Sequence, residues 1–66
     1  MRIKFDTEAD ALYIRLHEAE IVESEEVSPG VIVDFDGQDR VVGFEVLDVR
    51  KRLPEADLER VTLDVA

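Results

Sequence analysis

Apolar and polar side chains alternate along most of this chain, and a period of two commits a segment to β-strand. Ile3 and Phe5 alternate with Arg2, Lys4 and Asp6. Thr7-Glu8-Ala9-Asp10 then reads as a compact turn, because the Asp6 carboxylate can accept hydrogen bonds from amides two or three residues on. Ala11 to Leu16 is the second strand, with Leu12, Ile14 and Leu16 on one side and Ala11, Tyr13 and Arg15 on the other. The spacing of these two runs suits a hairpin.

His17 to Glu20 is a polar connection, and Ile21 to Val27 is a weaker strand interrupted by Glu23, Glu25 and Glu26. Charges of that kind suit a sheet edge, where they discourage unwanted pairing. Ser28-Pro29-Gly30 is a turn. Val31 to Phe35 is the most β-prone run, and Val41 to Leu47 follows it across the loop Asp36-Gly37-Gln38-Asp39-Arg40. Gly37 is available there for a positive φ. Past Leu47 the alternation stops. Leu53 to Arg60 predicts a short helix, with Pro54 in its first turn and Glu55 and Asp57 at the positive end of its dipole. Val61-Thr62-Leu63-Asp64-Val65 alternates again, as a last strand or a frayed tail, and as a sixth strand it could join this sheet or a partner's. The fold class expected is α+β: a small antiparallel β-meander of about five strands with one short C-terminal helix.

Length sharpens the problem. A chain of 66 residues is one domain. Folding at this size buries only about 60% of the extended surface, so small folds usually need a disulfide, a metal or a partner chain. There is no Cys, and His17 is the single His, which removes disulfides and argues against structural zinc. A partner chain is left. Strands with apolar residues on both sides point the same way, since one short helix cannot cover two faces. A homodimer is therefore expected, with Tyr13, Val31 and Val33 as its candidate interface.

Charge excludes other classes. The chain carries 17 acidic and 8 basic side chains, a formal net charge of -9, which repels nucleic-acid phosphates. No apolar run approaches the ~20 residues of a membrane span, and the charged N-terminal alternation does not read as a signal peptide. The expectation is a cytoplasmic, soluble protein. Its 45% hydrophobic content argues for a folded domain rather than a disordered acidic chain.

The stretches Lys4 to Leu16, Ser24 to Asp34 and Arg40 to Leu47, in this order and spacing, resemble the DUF2283 family of small prokaryotic proteins of unknown function. The resemblance covers roughly residues 2 to 53. It departs from the family's pattern at Phe44, where Ile is common, and weakens after Leu53. It implies a short β-rich domain with no established activity. Family members are sometimes encoded beside another class of small protein, which looks like a toxin–antitoxin arrangement. That implies an antitoxin-like alternative, in which an acidic surface neutralises a small basic partner.

The chemistry-bearing residues each have a plainer reading. Asp6, Glu8 and Asp10 form a turn or a weak metal site, and the turn is favoured because Asp so often makes one. Asp34 and Asp36, with Gly37 and Asp39, resemble a calcium loop in composition. Glycine is misplaced for that loop and the flanks read as strands, so a hairpin turn is favoured. His17 stands alone, Ser28 belongs to a turn, and there is no glycine-rich phosphate loop. No catalytic residue and no cofactor is expected, although a carboxylate-based metal-binding or hydrolytic protein stays as an alternative. Arg50-Lys51-Arg52 is the one basic cluster, and it suits an acidic patch better than a phosphate. The acidic run from Glu18 to Glu26 suits a solubilised edge, or attraction of a basic partner.

Overall fold

The computed structural model describes residues 1–66. Five antiparallel strands form one sheet: β1 Arg2–Asp6, β2 Ala11–Arg15, β3 Glu23–Ser28, β4 Val31–Phe35 and β5 Val41–Val46. One short helix follows, α1 Val49–Arg52. The class is α+β. The order across the sheet is β1-β2-β5-β4-β3, so the hairpin β1-β2 and the meander β3-β4-β5 join through β2 and β5. The connection from Leu16 to Val22 carries the chain from the middle of the sheet to its far edge. Its start is held by the Leu16 and His17 amides, which donate to the Val42 carbonyl at 2.8 and 3.3 Å. Its end is held by the Val22 amide, donating to the Phe35 carbonyl at 2.9 Å.

Aspartates build both tight loops. The Asp6 carboxylate accepts from the amides of Glu8 and Ala9 at 3.0 and 3.1 Å, and Asp10 turns the chain with φ of 54°. The Asp36 carboxylate accepts from the amides of Gln38 and Arg40, both at 2.9 Å. The positive φ in this second loop falls on Asp39, at 59°, and not on Gly37 as expected. The Asp39 amide donates to the Asp36 carbonyl and the Asp36 amide to the Arg40 carbonyl. That is a turn followed by one left-handed residue, a position Asp tolerates. At the other end of β4, Gly30 has φ of 76°, a left-handed conformation that glycine adopts without strain, and lies against the Arg52 guanidinium.

The helix is displaced from the expected position. Residues 53–60 form turns, and the helical turn precedes them. Pro54 explains where α1 stops, because a residue before proline is pushed out of the helical region. Leu53 has φ of -130° and ψ of 68°, which ends α1. Val61 to Val65 forms no strand.

α1 is fastened at one end of the sheet, against the β1-β2 turn and the turn before β4. Val49 is fully buried, and its amide donates to the Asp10 carbonyl at 3.1 Å. The Arg52 guanidinium donates to the carbonyls of Leu47 and Pro29. Only six of 66 residues are buried, and the apolar ones are Ala11, Val42 and Val49. The single chain therefore has no interior layer comparable to an ordinary core.

Candidate interaction surface

Strand register decides which side chains share a face, because directly paired residues project to the same side of a sheet. One row runs Ile3, Ile14, Phe44, Val33. The next runs Phe5, Leu12, Val46, Val31. These eight residues make a continuous apolar face spanning β1, β2, β5 and β4. The alternate rows are polar. Lys4, Tyr13, Glu45, Ile32 and Glu26 form one, and Arg2, Arg15, Gly43, Asp34 and Ser24 form the other.

This register corrects the expected interface. Val31 and Val33 lie on the apolar face, whereas Tyr13 lies on the polar one, paired with Lys4 and Glu45. The two faces are also less alike than the sequence suggested, since Ile32 is the one large aliphatic residue in the polar rows. The sequence could not show this directly. Alternation sorts residues within a strand, but which side of one strand joins which side of the next depends on register.

The polar face is organised around Asp34, which is buried at 5% exposure. The Tyr13 hydroxyl donates to one carboxylate oxygen at 3.0 Å and the Ser24 hydroxyl to the other at 2.6 Å. Burial, followed by the hydrogen bond to Asp34, raises the Tyr13 phenol above its ordinary value. Both hydroxyls therefore serve as donors to a buried carboxylate, which ties β2 and β3 to β4. Gly43 lies in the same row. A Cβ there would approach the Ile14 carbonyl to 2.9 Å, so glycine lets β2 and β5 pair closely.

Asp6, Asp10 and Asp36 are engaged in structure. Asp6 holds its turn, and Glu8 stands exposed beyond it. Asp10 accepts from the Arg50 amide at 3.1 Å and from the Arg50 guanidinium at 2.9 Å. Burial pushes the Asp10 carboxyl up, but the Arg50 hydrogen bonds and charge outweigh this and hold it below its ordinary value. Asp36 is held low chiefly by the Arg40 amide, working against burial, with the Gln38 amide and the Arg40 guanidinium adding to it. No group of three or more His, Cys, Asp or Glu side chains converges in a metal-binding arrangement.

The basic cluster is also engaged. Arg50 bonds Asp10 and the Thr7 carbonyl and sits 5.7 Å from the centre of the Phe5 ring. Arg52 bonds two carbonyls, which leaves Lys51 as the uncommitted cation of the three. These cations fasten α1 to the sheet. The acidic strand β3 differs, since it is exposed throughout and Glu23 and Glu25 have no cationic partner.

The two sheet edges carry opposite charge. β1 presents Arg2 and Lys4, and β3 presents Glu23, Glu25 and Glu26. Pairing either edge with its own copy would set like charges opposite each other, which is destabilising. The apolar face has no such barrier. No helix is long and apolar enough to cross a membrane.

No curated protein and no solved structure matches the chain. Residues 2–50 match the family model described as "Protein of unknown function (DUF2283)", which spans the whole sheet and the start of α1, and the chain thus belongs to the DUF2283 family.

Proposed function

We propose that this protein is a non-enzymatic interaction module that acts as a homodimer, its two sheets packed through the apolar face. The observation that carries this is surface area. The chain exposes 5263 Å², where a folded monomer of its mass exposes about 4,200 Å². The excess is about 1,000 Å² per chain. Two copies hiding that much would bury about 2,000 Å² in total, the size of a stable protein–protein interface. Shape agrees. The radius of gyration is 12.7 Å, against about 10.8 Å for a compact domain of this length.

The test is sedimentation velocity across a concentration series, comparing two charge insertions. Phe44→Glu sits in the apolar face and should yield a folded monomer. Ile32→Glu sits on the opposite face and should leave the dimer intact. Equal behaviour of the two variants would contradict this interface.

A second reading rests on β3. Its exposed Glu23 and Glu25 are unneutralised within the chain, and they suit a small basic protein, as an antitoxin-like neutraliser would require. Salt-sensitive co-purification of a basic protein encoded alongside would favour it. A gene standing alone would count against it.

A further inference from the structure

We propose that residues 61–65 form an exchangeable arm that adds as a sixth strand to the β1 edge of a second copy. This inference rests on the dimer reading above. It begins from how weakly the segment is held. Past Leu53 the hydrogen bonds are local, from the Ala56 amide to the Leu53 carbonyl and from the Glu59 amide to the Asp57 carboxylate. No hydrogen bond or ion pair ties residues 54–66 to the sheet.

The segment also fits its own chain poorly. It lies over the β1-β2 half of the apolar face and leaves two clefts there. One, of 410 Å³, has Ile3, Phe5, Leu12 and Ile14 on one side and residues 57–62 on the other. The second, of 400 Å³, lies between Met1, Ile3 and residues 61–63. Val61, Leu63 and Val65 remain 66%, 74% and 86% exposed. Both clefts open to solvent, so the aliphatic side chains of the segment are only partly packed against the sheet.

Period and charge select the edge. An extended 61–65 puts Val61, Leu63 and Val65 on one side and Thr62 and Asp64 on the other. Added to β1, the aliphatic trio continues the apolar face beside Ile3 and Phe5, and Asp64 falls on the side of Arg2 and Lys4. Residues 54–66 hold four acidic side chains and one basic, a net charge of -3. The Glu-rich β3 edge repels such an arm, whereas β1 offers it Lys4, beside an Arg2 that is already paired with Glu18 at 3.3 Å. Reach is sufficient. The eight steps from Leu53 to Val61 span up to about 26 Å when extended. Two stacked sheets lie only about 10 Å apart. Exchange of an identical element between copies is a low-cost route to a dimer.

The chain contains no Cys, so engineered thiols report contacts unambiguously. Single variants Arg2→Cys and Lys4→Cys are each mixed with Thr62→Cys or Asp64→Cys under mild oxidation. At least one mixture should yield a disulfide-linked species of twice the chain mass, well above the yield of either variant alone. The second measurement is the dimer dissociation constant of the chain lacking residues 61–66, expected to rise at least ten-fold.

Two outcomes would overturn the arm. No mixture could link above its controls, or the truncated chain could dimerise unchanged. In each case a dimeric full-length protein would leave the face-to-face reading standing. A monomeric full-length protein would remove both.

Discussion

Asp34 is the residue on which the polar face turns. A buried carboxylate is tolerated when its oxygens are hydrogen-bonded, and here Tyr13 and Ser24 serve one oxygen each. Tyr13→Phe leaves one oxygen short of a donor and should destabilise the fold by about 1–3 kcal/mol, read from urea unfolding. Gly43→Ala should cost a similar 1–3 kcal/mol, because the new methyl meets a backbone carbonyl and not a movable side chain. At low pH, Asp10 and Asp36 dominate the expectation. Both are held below their ordinary value in the folded state, so the unfolded chain binds protons more readily. Their stabilisation is complete above the ordinary carboxylate value of 3.8 and is lost as pH falls below it towards the lowered values. Asp36→Asn should flatten the fall of melting temperature between about pH 4 and pH 2. An unchanged slope would show that the Asp36 loop opens without affecting the fold.

Among the elements, β-strands were the most legible. β1, β2, β4 and β5 occur where period two places them, and the Asp6 turn lies where local side-chain bonding suggests, whereas the second loop was expected to turn on Gly37 and is built on Asp36 and Asp39. The helix was less legible because two signals competed. Pro54 and the acidic residues after it fit a helical first turn, yet the same proline ends the turn that precedes it. What fixes α1 is long-range, namely the burial of Val49 and the bonds from Arg50 to Asp10 and from Arg52 to Pro29 and Leu47. None of these partners is adjacent in sequence. Arg50→Ala should therefore release α1 from the β1-β2 turn. Amide hydrogen exchange at residues 49–53 should accelerate sharply, with β4 and β5 protected as before.

For the whole molecule, the sequence argued that one chain was too small to cover its sheet, and the chain exposes about 1,000 Å² more than a folded monomer of its mass would. The interface was expected on Tyr13, Val31 and Val33, and register separates the first from the other two. Two rows of four apolar residues form one face, while on the polar side Tyr13 and Ser24 satisfy Asp34 and the buried Arg15 Nε has no hydrogen-bond partner. The net charge of -9 resolves likewise into an edge bearing Arg2 and Lys4, an edge bearing Glu23, Glu25 and Glu26, and an acidic C-terminal segment. The central claim is that this apolar face belongs between two copies. Molar mass by light scattering at micromolar concentration tests it most directly. The account predicts twice the 7.5 kDa of one chain. A mass of one chain, together with cooperative thermal unfolding, would contradict it.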